Sequence, residues 1–341
     1  MEEIDFVLPW VDGGDPAWRA QKRAYETGDT DPASGDADAN GEGRYRDTGL
    51  LKYWFRGVEK FAPWVNRVFF VTCGQKPDWL DERNPKLRLV NHADYIPPEC
   101  LPTFHSNTIE LNLHRIKDLS ERFVLFNDDV FLLRPVPPEF FFRKGLPVIP
   151  CDLGIPRWLG GSNTSRIALN NTGALKAGLD VDGLVKRNIL KFADIRALGL
   201  ARAVKNVAAF AVNRTYIAGT FGHIAQPHLK STFEEVWRVQ PKPVERTVRS
   251  RFRTDDCVSH WLMSAWDMVS GRFSPANEKR IGEFALLTQG TAAAVCDAVR
   301  RRIRPEICLN DKGDAEDAER CFALVADAFE SILPGKSSFE K

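Results

Sequence analysis

A chain of 341 residues with a formal charge of +1, 27% charged and 43% hydrophobic residues has an ordinary globular composition and can bury a substantial core. That balance lacks the basic excess of a nucleic-acid-coating protein and the low hydrophobicity of a disordered one. Seven cysteines without a C-x-x-C pair suggest reduced thiols in a cytoplasmic protein; the start, MEEIDFVLPWVD, has no signal-peptide character, and no apolar run reaches the roughly 18 residues of a spanning helix.

Ile4 to Leu8 is an apolar run that predicts a buried strand, and Trp10 to Asp15 (WVDGGD) follows as a glycine-permitted loop. Thr27 to Gly43 holds five acids, four glycines and no Lys or Arg, a composition that predicts a mobile insertion. Asp47 is placed to cap a helix whose apolar residues Leu50, Leu51, Trp54, Phe55, Val58 and Phe61 share one face. Strands are expected at Arg67–Cys73 and Leu87–Val90, then a helix opened by Ser106 with Ile109, Leu113 and Ile116 on its face. Arg122–Phe126 reads as a further strand, running into Asn127-Asp128-Asp129. This alternation predicts an α/β sheet. Beyond Pro150 the chain reads as more helical, with helices expected at 231–239, 256–269, 291–301 and 315–333 and a short strand at Glu306–Leu309 ending in Asn310-Asp311.

The polar step in FVLFNDDVFLL admits two readings. Asn and Asp suit a turn between strands. Two adjacent carboxylates beside apolar walls equally suit a cation or acid/base site at a strand end, where a cation offsets the cost of the paired charge. The WVDGGD loop offers an aromatic ring, two carboxylates and two glycines, suited to a nucleotide or to an exposed turn. In TVRSRFRTDD, Arg249, Arg251 and Arg253 alternate, and on a strand they would share a face able to clamp a diphosphate. From Leu184 to Asn206 six Lys or Arg and one Asp are interleaved with apolar residues, which suits a polyanionic glycan, an anionic membrane surface or an amphipathic core helix. No P-loop, G-x-G-x-x-G, zinc spacing or G-x-S-x-G elbow occurs. Spacing alone therefore leads to a metal-assisted enzyme acting on a phosphorylated or nucleotide-linked substrate.

Four blocks together carry a more specific reading: IDFVLPWVDGGDPAW from Ile4; RYRDTGLLKYWFRGVEKFAPWVNRVFFVTCGQKPDWL through LPTFHSNTIELNLHRI to LFNDDVFL, from Arg44 to Leu132; HIAQPHLKSTFEEVW from His223 with the following RFRTDD; and ICLNDKG from Ile307. In this order they resemble the Stealth family of hexose-1-phosphate transferases, which includes bacterial capsular-polysaccharide phosphotransferases and the animal enzyme that modifies lysosomal glycoproteins. His105 stands where that family usually has Asn or Ser.

The resemblance implies a GT-A-like or Rossmann-type mixed sheet flanked by helices. Its expected parts are a donor-binding core over 1–150, a helical acceptor region over 151–270, and a segment over 271–341 that completes the active site. It implies transfer of hexose-1-phosphate, with N-acetylglucosamine as the expected sugar, from a UDP-hexose to a glycan hydroxyl with release of UMP. Alternatives are a metal-dependent glycosyltransferase releasing UDP and a non-catalytic glycan-binding relative. Asp129 is expected as general base, Asp128 and Asp311 as ligands of Mg2+ or Mn2+, and His223 (with His228 as the alternative) and Arg253 as catalytic partners. Trp10, Asp12, Gly13, Asp15, Arg46, Asn107 and Arg251 would line the donor site. No nucleic-acid partner is expected, and contact with the inner face of the membrane would be peripheral.

Overall fold

The computed structural model describes residues 3–26, 40–154, 163–212, 218–219, 222–311 and 315–341. The expected insertion thus lies outside the described residues up to position 39. The first half of the chain supplies strands β1 (Ile4–Pro9), β2 (Val68–Thr72), β3 (Leu87–Asn91), β4 (Arg122–Leu125), β5 (Val130–Leu132), β6 (Phe142–Arg143) and β7 (Leu146–Pro150). The second half supplies β8 (Leu153–Gly154), β9 (Ala218–Gly219), β10 (Gln226–Leu229), β11 (Ser274–Ala276), β12 (Gly282–Leu287) and β13 (Glu306–Asp311).

The central sheet runs β10-β4-β1-β2-β3, parallel except for β10, which lies antiparallel on β4. It is a mixed sheet covered on both faces, so the α/β expectation holds. Alternation along the strands decides the faces. Ile4, Phe6 and Leu8 of β1, with Trp10 beyond it, point to one core shared with Val124 and Phe126. Val7, Phe123 and Leu125 point to the other. The helix Leu51–Phe61 and the long helix Ala315–Ile332 belong to the first core, where Phe329 packs on Tyr53 and Phe131. Helices Lys230–Val239 and Trp261–Ser270 belong to the second.

The parallel arrangement places the carboxyl ends of β1, β2 and β4 on one edge of the sheet, the edge where open α/β sheets present loops to ligands. A second sheet, β12-β13-β5, is built across that edge, with β13 antiparallel to β5. The far end of the chain also returns to the helix Leu51–Phe61: Arg56, buried in that helix, holds Glu340 at 2.8 Å and Glu330 at 3.0 Å.

Three local expectations are corrected. Arg249, Arg251 and Arg253 do not alternate on a strand. Val244, Thr247 and Val248 bury one face of a helix, Pro241–Arg249, that Pro241 begins, so Arg249 closes a helix and the other two follow in irregular chain. Asp47 does not cap the helix at 51; it accepts the Gly49 N–H at 3.3 Å, and Leu50 occupies the cap position. The helix expected from 256 starts at Trp261, because Thr254 instead closes a local turn on Asp256 and Cys257.

Candidate active site

Asn127-Asp128-Asp129 forms the tight turn between β4 and β5, closed by the Val130 N–H donating to Asn127 O at 3.0 Å. The turn and the carboxylate site are therefore the same feature. Strand β13 fixes it from the side: the Leu309 N–H donates to Asp129 O at 2.8 Å, and the Cys308 thiol donates to Asp129 Oδ2 at 3.4 Å. Asp129 Oδ1 is buried and has no hydrogen-bond partner.

His223 arrives just ahead of β10, whose antiparallel pairing brings its start to the carboxyl end of β4. Its Nδ1 lies 3.4 Å from Asn127 Nδ2, and its ring packs edge-on against Trp261. A ligating atom from each of Asp129, His223 and Cys308 lies within 4.8 Å of the others. His228 is elsewhere. It sits on β10, fully buried between Phe123, Phe233 and His260, with neither ring nitrogen partnered, and burial holds its pKa well below the usual range.

The opposite wall is the segment preceding the helix at 51. The Gly13 N–H donates to Tyr45 O at 2.7 Å, and a Cβ on Gly13 would overlap that carbonyl, so the close approach requires glycine. Tyr45 in turn donates to Phe104 O at 2.9 Å and packs on Trp18. The next residue, Arg46, holds Asp311 Oδ2 at 2.6 Å across the end of β13. Asp12 and Asp15 are tied to the loop after β2, because Gln75 accepts the Asp12 N–H at 2.9 Å and donates to Asp15 Oδ2 at 3.2 Å. A cavity of about 260 Å3 is lined by Asp12, Gly13, Lys22, Tyr45, Arg46 and Asp47 among others, and by none of Asp128, Asp129, His223, Cys308 or Asp311. A larger cavity of about 570 Å3, between Val65, Pro85 and Phe339, is remote from all the expected site residues.

Arg253 donates to Ser106 Oγ at 2.7 Å, and its backbone is paired in both directions with the Asn40 amide. Arg251 points another way, onto the Tyr25 ring and Pro102 O. Asn107 is buried beside Ser106 with its Nδ2 unpartnered. Trp10 is also buried, packed on Phe70, so its ring is part of the support under the loop and not an exposed stacking face.

The electrostatics of the turn are those of crowded carboxylates. Burial, then the neighbouring charges of Asp129 and Asp47, pushes the Asp128 carboxyl up to about 8. Burial raises Asp129 as well, against the opposing pull of His223 and the Cys308 thiol. Burial raises Asp311, against the opposing pull of Arg46, and lowers His223, against that of Asp129. Among the described residues, the group close enough to share an ion is Asp129, His223 and Cys308; Asp128 and Asp311 are not part of it, and Asp311 is paired with Arg46. Asp129 still presents one buried carboxylate oxygen without a donor, which a cation would satisfy. Cys308 does not match a hard cation, since burial and the adjacent Asp129 drive its pKa upward and keep it a thiol.

The residues not foreseen are Tyr45, Asp47, Gln75 and Cys308. Tyr45 and Asp47 flank Arg46 in the quoted RYRD, and Cys308 sits three before Asp311, so only spatial assembly separates them from their neighbours.

Comparison with known proteins agrees with the blocks read from the sequence. Models for Stealth protein CR1, conserved region 1, and CR2, conserved region 2, match residues 2–30 and 44–148. The chain is 38% identical to a capsular polysaccharide phosphotransferase WcwK of Streptococcus pneumoniae and 39% to the receptor polysaccharide phosphotransferase WefC of Streptococcus oralis, over 100% of each chain. It is 30% identical to the exopolysaccharide phosphotransferase cps2G of Lactiplantibacillus plantarum, over 99% of this chain and 96% of that one. Among solved structures, the galactosyltransferase LgtC with donor and acceptor sugar analogues aligns over 95% of each chain at 12% identity and a TM-score of 0.41. With full-length identity to these relatives and two of its conserved regions matched, the chain belongs to the Stealth family and is a phosphotransferase.

Proposed function

We propose that this chain transfers hexose-1-phosphate, with N-acetylglucosamine as the sugar, from a UDP-hexose to a hydroxyl of a growing glycan, releasing UMP, in capsular or exopolysaccharide synthesis. The observation that carries the reading is Asp129: a carboxylate with one unpartnered oxygen, held rigidly by β13 beside His223, at the sheet edge that also carries the Asp12–Asp15 loop.

In this reaction the acceptor oxygen attacks the phosphorus next to the sugar. A new O–P bond forms, the bond from that phosphorus to the bridging oxygen breaks, and UMP leaves with the bridging oxygen. The sugar C–O bond stays intact. Asp129 takes the hydroxyl proton, and burial, by raising its pKa, makes it a better base near neutral pH. His223 lies beside it to orient or protonate a phosphate oxygen. Arg253, fixed through Ser106 and Asn40, balances the diphosphate charge. Asp12, Gly13 and Arg46 line the cavity assigned to the donor, Asp15 is held beside it through Gln75, and Trp10 supports the loop from beneath, whereas Asn107 and Arg251 do not line it.

Asp128 and Asp311 would hold Mg2+ or Mn2+, which when bound supplies charge neutralisation to the diphosphate. A reducing, cytoplasmic setting is consistent with seven free cysteines. Among the described residues no helix is long and apolar enough to cross a membrane. Chromatography of the nucleotide released from UDP-N-acetylglucosamine tests the reading: UMP is expected, whereas UDP would assign the chain to sugar transfer.

A further inference from the structure

The helix Leu200–Val212 is turned inside out relative to an ordinary surface helix. Its inward face is held by Ala203 and by Asn206, which is fully buried and binds Leu153 N, Cys151 O and Phe192 O. Its outward face is apolar: Leu200, Val204 and Val207 recur at helical spacing, with Ala208 and Ala211 beyond them. Leu190 and Ile195, on the two short helices before it, continue the surface. These side chains and Val212 are between 42% and 82% exposed, a concentration that isolated surface apolar residues do not produce.

Charge along this surface is predominantly positive, with Asp194 capping the short helix at 195 and Asp152 paired to Arg202 and Lys205. No acidic residue occurs from 195 to 233, and exposed Lys186, Arg187 and Arg196 border the apolar side chains. Three other basic residues of the segment are committed internally: Lys191 donates to Gly271 O and Phe273 O at 2.6 and 2.8 Å, and Arg202 and Lys205 both pair with Asp152. The remaining cations are directed to solvent at the rim of an apolar face, the distribution of a helix that lies in a lipid–water interface. A soluble polyanion would be matched by the cations but would leave the apolar face in water.

We propose that the face formed by Leu190, Ile195, Leu200, Val204 and Val207, with Lys186, Arg187 and Arg196 at its border, docks this enzyme peripherally on an anionic phospholipid surface. The docked layer adjoins the active site. Asn277 donates to Leu198 O at 2.8 Å, and the next residue, Glu278, packs against Gly222, immediately before His223.

Flotation of the full-length protein with phosphatidylglycerol/phosphatidylcholine vesicles, against pure phosphatidylcholine, tests the proposal. Wild type is expected to float with the anionic vesicles only. The variant K186E/R187E/R196E is expected to bind them about a hundredfold more weakly. The variant L200S/V204S/V207S is expected to lose at least about tenfold, with nucleotide release from UDP-sugar and a soluble acceptor unchanged in both. Equal flotation with neutral vesicles, absence of flotation, or unaltered binding by both variants would overturn it. So would size-exclusion chromatography showing that the serine variant converts a wild-type dimer to monomer, since the face would then belong to a second copy.

Discussion

Glu306 opens β13, completely buried, with Oε2 accepting the Ala225 N–H at 3.1 Å and Oε1 without a partner. Burial, opposed only by that N–H, raises its carboxyl from 4.5 to about 8. The folded state therefore keeps the proton where the unfolded chain gives it up, so this group's stability is complete below about pH 4.5 and is lost as pH rises towards 8. From 4.5 to pH 7, at about 1.4 kcal/mol per pH unit, the loss is on the order of 3 kcal/mol. Glu306→Gln keeps the acceptor for Ala225 and cannot ionise, but leaves an amide N–H2 unsatisfied at a cost of about 1–3 kcal/mol. Wild type should thus be the more stable near pH 5 and the variant the more stable near pH 8, by about 1–3 kcal/mol. Urea unfolding followed by tryptophan fluorescence at pH 5, 6, 7 and 8 measures the difference. A gap between the two proteins that stays constant over that range would refute the reasoning.

Replacing Asp129 by Asn should lower kcat about 10²- to 10⁴-fold with the thermal midpoint little changed; transfer at the wild-type rate would remove Asp129 as base. Gly13→Val forces a Cβ onto Tyr45 O and should destabilise by about 1–3 kcal/mol while depressing transfer, read by thermal unfolding alongside a nucleotide-release assay. Cys308→Ser preserves a donor to Asp129 and should leave activity within about fivefold. A larger loss accompanied by loss of bound zinc in elemental analysis would instead make the sulfur a ligand of a softer metal.

Much of the central sheet was legible because its strands are short apolar runs punctuated by Gly, Pro and Asn. The expected strands at 67–73, 87–90 and 122–126 lie within two residues of Val68–Thr72, Leu87–Asn91 and Arg122–Leu125. The Asn-Asp-Asp step was legible as a polar break, though only the crossing of β13 shows why one carboxylate is orphaned. Local periodicity misled where two patterns competed. Arg249, Arg251 and Arg253 alternate like a strand, but the helix begun at Pro241 runs as far as Arg249. Trp10 looked available for stacking, yet the alternation through Ile4, Phe6 and Leu8 carries it into the core. The stretch from Leu184 to Asn206 was readable as a mix of basic and apolar residues, but the structure divides it among four helices, and which face of the last meets the protein is decided by Asn206 and its three distant partners. No local pattern encodes that choice.

Phosphorus NMR of the product formed from UDP-N-acetylglucosamine, a divalent cation and a glycan acceptor tests the transfer of sugar-1-phosphate most directly. A phosphodiester resonance coupled to both sugars, with one UMP released per linkage, is the expected result. A product without phosphorus, formed with release of UDP, would contradict it.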